Sequence, residues 1–230
     1  MAANRALGRA PHKIASGLLL TAGATILLGI ITAEALYTAP YTTRMEISDL
    51  GATDTGVILH PSSYIFNAAM LITGAMILIG AYFTHRALHR RAVTIPTGLL
   101  GIGVLGVGIF PGNIHPWHPI FAYTAFLAGG LAVLLSYKVT PQPLCSIFAI
   151  LGALSLVFTV AGVFLPESGP FGQLELGGVE RWMVYPVVLW LVGFGGFLSA
   201  SRPQEPPSVS LPATATEALN GHREAVRSSR

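Results

Sequence analysis

The feature that most constrains this chain is a series of six apolar stretches joined by short polar loops. They cover about residues 14–36, 62–84, 93–110, 119–137, 144–165 and 182–200. An α-helix needs roughly 20 apolar residues to cross a bilayer core about 30 Å thick, and these stretches come close to or meet that length. Within hydrocarbon the backbone must satisfy its own N–H and C=O groups, so such stretches fold as helices. The chain is 52% hydrophobic and only 10% charged, whereas a soluble domain carries about a quarter of its residues as charges. The expected fold is therefore all-α, a polytopic bundle of six transmembrane helices over residues 14–200. A basic N-terminal segment (1–13) precedes it. A disordered tail (201–230), rich in Pro, Ser, Thr, Ala and Arg, follows.

The first stretch follows Arg5 and Arg9, as the core of a signal peptide would. Its apolar run is too long for that, and five more spans come after it, so it is read as a retained helix. The third span carries Gly98, Gly101, Gly103, Gly106 and Gly108. Small residues let membrane helices approach closely, which predicts a packing interface here. Cys145, the single cysteine, excludes an internal disulfide and is expected as a buried packing thiol.

Charge sets the orientation. Eleven of the thirteen Lys and Arg residues lie in the N-terminus, the second-to-third loop, the fourth-to-fifth loop and the tail. The opposite side holds only Arg44 and Arg181. By the positive-inside bias, both termini are cytoplasmic. The same distribution accounts for the net charge of +3 without a basic helix or an aromatic-interleaved patch, so no nucleic-acid partner is expected.

Chemistry concentrates on the other side. Glu34, Glu46, Asp49, Asp54, Glu167, Glu175 and Glu180 lie there with His60, His115 and His118. In the long loop before the second span, Ser48 or Asp49 is suited to cap a helix or turn, with Gly51 at positive φ. Asp49 near the membrane surface also suits an acid, base or ligand. Three prolines and Gly112 pin the loop that holds His115 and His118 at the interface. Two imidazoles at that spacing can share a metal, or one can carry a proton; helix capping is the plainer role for His118. Glu180 and Arg181 end the last loop and, as neighbours, must face different partners. Arg181 is expected to pair with Asp49, Glu46 or an anionic head group. Glu34 and Asn67 are the polar side chains inside the spans that stand out. No acidic ladder crosses the bilayer, which argues against a pump or channel.

The motifs Ile47-Ser48-Asp49-Leu50-Gly51, Asn67, Phe110-Pro111 with His118, and Gly178-Val179-Glu180-Arg181 fall in a set order relative to the spans. In this the chain resembles a prokaryotic integral membrane family known as domain of unknown function 998, over about residues 14–200. The Ser48–Gly51 loop is also similar, more weakly, to eukaryotic multispanning families of lipid remodelling and autophagy. The first resemblance implies six helices in a prokaryotic cell membrane and marks site residues. It names no reaction, and it leaves any cofactor unknown.

Two functions fit these residues. In one, Asp49, His118 and Glu180 are catalytic groups, and Arg181, Ser48 and Asn67 bind a lipid or isoprenoid amphiphile drawn from the membrane. In the other, the same residues form a structural polar network in a non-catalytic scaffold or accessory subunit. An open pocket favours the first, a closed and mutually satisfied set the second. A transporter is disfavoured, since polar groups at mid-depth and an inverted repeat are both missing.

Overall fold

A computed structural model describes residues 2–164 and 172–201, with side chains from Ala10 onward. Glu167 and the expected disordered tail, with Glu205, Glu217 and Glu224, lie outside the described residues. The fold is all-α. Six helices follow in order: α1 (Ala2–Ala35), α2 (Ser62–Leu88), α3 (Arg91–Ile109), α4 (Trp117–Leu135), α5 (Leu144–Phe164) and α6 (Glu175–Ala200). Each is long and apolar enough to cross a membrane. No strand occurs among the described residues. This is a multi-pass membrane protein.

Successive helices pack side by side, and α6 returns to α1 to close the ring. α4 also reaches α6 directly. A small cluster of Phe158, Val179 and Met183, with Phe126 against it, joins α4, α5 and α6 there. The main core holds Leu19, Ile30, Ile77, Val133, Trp190 and Phe194. Trp190 is fully buried, and its indole N–H donates to Ser136 Oγ at 2.9 Å, so the polar edge of the ring is satisfied. In α3, Gly101 and Gly108 lie against α2, while Gly103 and Gly106 lie against α4. The glycine-rich span is thus the packing element its composition predicts.

Helix α1 begins at Ala2, so the basic N-terminal segment continues the first helix in backbone conformation. Two expectations need correction. Helix α6 begins at Glu175, seven residues before the apolar stretch, and takes in Glu180 and Arg181. Hydropathy started that span late because it counts these polar residues against a helix, and here each finds a partner on another element. Cys145 is half-buried rather than buried, because it lies in the first turn of α5 near the loop.

Candidate functional site

The site is organised by one short turn. Residues Ser48–Leu50 form a 3-10 turn in the loop between α1 and α2. Gly51 after it has φ −85°, so the expected positive φ is not used. Its lack of a side chain serves a close approach instead: a Cβ there would fall 2.6 Å from Asn67 Oδ1 and 2.9 Å from the Phe66 ring.

Three carboxylates are fastened to this turn, each by one oxygen. Asp49 Oδ2 accepts the Glu46 backbone N–H at 3.1 Å. Glu46 Oε2 accepts from Ser48 Oγ at 3.2 Å. Glu180, arriving on α6, accepts the Ile47 backbone N–H through Oε2. Burial, and then the neighbouring Asp49 charge, raise the Glu46 carboxyl above the usual carboxylate range. Burial also raises Asp49, against the Glu46 hydrogen bond that favours its charged form.

His118 sits in the first turn of α4 and is only 8% exposed. Its Nδ1 donates to the Phe110 carbonyl at 2.7 Å, because a carbonyl can only accept. The bond ties the end of α3 to the start of α4. In the neutral ring, Nε2 then carries the lone pair. Nε2 makes no hydrogen bond to a described residue. His115 takes a different partner, Asp54, in an exposed pair, so the two imidazoles of this loop do not converge. His60 bonds Ser63 at 2.8 Å and stacks on Tyr64, apart from this cluster. Among the described residues no group of three or more His, Cys, Asp and Glu side chains converges as a metal-ligand set.

These residues surround a cavity of about 470 Å³. Its polar lining includes Arg44, Glu46, Ser48, Asp49, Asp54, His115, His118 and Glu180, and its apolar side is formed by Tyr123, Phe126, Val179 and Met183. Beneath it lies a narrow apolar cleft of about 70 Å³ along the bundle axis, between α1, α2, α3, α4 and α6. Ser48, His118, Ala122, Phe126, Glu180 and Met183 line both spaces. From Glu180 to Leu191 the cleft follows α6 for roughly 16 Å, at 1.5 Å of rise per residue.

Arg181 is not at this cavity, and it pairs with neither Asp49 nor Glu46. Its Nη2 donates to Glu34 Oε1 and Tyr41 Oη, each at 3.1 Å. Its Nη1 donates to the carbonyls of Thr43, Met45 and Gly177 at 3.1, 2.8 and 2.9 Å. Tyr41 passes the chain on, donating to the Glu46 carbonyl at 2.9 Å. The guanidinium fork thus stitches the loop to α1 and α6. Gly177 completes the seam. Its N–H donates to the Arg44 carbonyl at 3.0 Å, and a Cβ at this position would collide with the Met45 carbonyl.

Asn67 is likewise away from the cavity, under Gly51, with its Oδ1 buried and unpaired. The cavity therefore gathers Asp49, His118, Glu180 and Ser48, while Arg181 and Asn67 stand behind it. Glu46 was among the outer acids but not singled out, although its place three residues before Asp49 marks a turn that brings both carboxylates together.

Fold and site together define a class: a six-helix membrane protein with a carboxylate- and histidine-lined cavity at one end. The chain belongs to the family described as "Protein of unknown function (DUF998)", which it matches over residues 9–196. No curated protein and no solved structure matches it.

Proposed function

We propose that this protein binds a membrane amphiphile, a lipid or isoprenoid, at the polar end of its bundle. The charge bias of the loops assigns that end to the outer face of the cell membrane, with both termini cytoplasmic. The head group occupies the polar cavity against Ser48, Asp49, His118 and Glu180, and the chain turns down into the apolar cleft. One observation carries this reading: Ser48, His118 and Glu180 line both spaces. A ligand with a polar head and an apolar chain finds a matching surface on each side of that junction.

The cleft is tight for an acyl chain at about 70 Å³. Met70 and Met183 line it, and unbranched thioether side chains re-pack at low cost. Asp49, Glu180 and His118 Nε2 are the groups able to exchange protons with a head group. Arg181 is a positioning residue. Its hydrogen bonds to Glu34 and Tyr41 favour a structural role for those three side chains, which border a separate, shallower cavity of about 400 Å³, while Asp49, His118 and Glu180 line the space that joins the apolar cleft.

Ala122 lines both spaces at their junction. Wild-type protein purified from its host membrane should carry one amphiphile class, seen by mass spectrometry. Ala122→Trp should lose it while keeping its thermal unfolding midpoint. Equal lipid content in the two proteins, both folded, would sink the proposal.

A further inference from the structure

The cavity has an unusual charge arrangement. Glu46, Asp49 and Glu180 each anchor one oxygen to the Glu46–Asp49 turn, by bonds to Ser48 Oγ, Glu46 N–H and Ile47 N–H. Their other oxygens make no hydrogen bond to a described residue, and none of the three carboxylates has an ion-pair partner among the described residues. The cations nearby are committed elsewhere. Arg181 follows Glu180 directly yet spends its donors on Glu34, Tyr41 and three carbonyls. Arg44 also lines the cavity, but its guanidinium pairs with Glu175 at 2.9 Å in an exposed position. His115 is held by Asp54.

Carboxylates gathered in a partly desolvated space repel one another, and each leaves acceptor oxygens that water serves poorly there. An anionic head group would add to that repulsion. A positive one would relieve it and supply the missing donors. A second observation points to a ligand independently of the acids. His118, at 8% exposure, borders the same cavity with Nε2 unpaired, so it offers a neutral acceptor to an N–H donor. Tyr123 and Phe126 add aromatic surface suited to a cation.

We propose that the cavity selects a positively charged amine, held between Glu46, Asp49 and Glu180 with one N–H directed at His118 Nε2. The proposal rests on the amphiphile reading above and names its head group. The raised carboxyls of Glu46 and Asp49 accord with a site whose counter-cation is the ligand.

Binding to the purified full-length protein, in nanodiscs of zwitterionic lipid, separates the two claims. The probes are hexadecylamine, hexadecanol, hexadecyl phosphate and the short-chain ethylamine. The amine should bind at least about tenfold more tightly than the alcohol, a preference of about 1.4 kcal/mol, and the phosphate most weakly. In the Glu46→Gln/Asp49→Asn double variant the amine-over-alcohol ratio should fall toward one. Equal binding of the three hexadecyl probes overturns the amine proposal and leaves the amphiphile reading standing. Amine preference that is the same for ethylamine and hexadecylamine does the reverse. Tighter binding of the phosphate overturns the amine claim outright. The wild-type comparison alone decides the matter if the double variant does not fold.

Discussion

Glu180 and Arg181 are adjacent on α6 and serve different partners: the carboxylate is fixed by the Ile47 N–H beside the cavity, and the guanidinium reaches back to Glu34 on α1 at 3.1 Å. One residue helps line the cavity, and the next holds the loop that completes it. Consecutive helical positions point about 100° apart, so this division needs no distortion of the helix.

Arg181→Ala should therefore cost stability first and binding second. Its side chain is 13% exposed and that of Glu34 29%, and breaking a partly buried pair of this kind costs about 3 kcal/mol. Arg181→Lys should recover little, because an ammonium cannot reproduce the planar fork across five acceptors. Thermal unfolding in a mild detergent measures both. A loss in Arg181→Ala below about 1 kcal/mol, the level of a surface pair, would contradict the clamp.

The glycine seam predicts a steric effect. Gly177→Val places a side chain against the Met45 carbonyl, with no flexible group there to give way. A cost of about 1–3 kcal/mol is expected, together with faster protease cleavage in the loop of residues 36–61. Limited proteolysis at matched denaturant reads the second effect, and an unchanged cleavage rate would show that the seam does not hold the loop.

His118 separates support from chemistry. His118→Ala leaves the Phe110 carbonyl without its donor, at a cost of about 1–3 kcal/mol. His118→Asn keeps a short N–H donor and should regain most of that stability while lacking an imidazole. Recovered folding without recovered ligand binding would assign the ring a role beyond tying α3 to α4.

The carboxylates predict a pH dependence with a definite sign. Glu46 and Asp49 lie above their ordinary values of 4.5 and 3.8 in the folded state, so between those values and the raised ones the folded chain holds more protons than the unfolded one. Stability then falls as pH rises through that window and levels off above it. Glu46→Gln and Asp49→Asn should each flatten this decline, raising the unfolding midpoint at neutral pH and converging on wild type in acid. Midpoints measured across the acid range would test this, and a wild-type stability that rises with pH through the window would reverse the assignment.

Hydropathy and loop charge made the six helices legible, because spanning a bilayer imposes a length and a composition that can be read locally. The glycines of α3 were legible for the same reason. Asp49, His118 and Glu180 could be picked out as polar groups at one end, and the structure does bring them around one cavity. The partners of Arg181 were not legible. Its partner Glu34 is 147 residues away, and nothing local distinguishes a guanidinium held by backbone carbonyls from one held out for a ligand. The onset of α6 was missed because Glu175, Glu180 and Arg181 are polar in composition, yet each is satisfied by a group from another element. Gly51 was read through its backbone angle, whereas its use is proximity to Asn67.

The Arg181 clamp also has a meaning in time. The loop of residues 36–61 is synthesised early, but the fork that holds it and the Glu180 carboxylate that faces its turn belong to α6. Until α6 is inserted beside α1, the chain has made most of the cavity's residues without their arrangement. A chain halted after α5 would lack both the fork and the carboxylate that fix the acidic loop, so insertion of α6 is what turns separate spans into a bundle with a defined cavity.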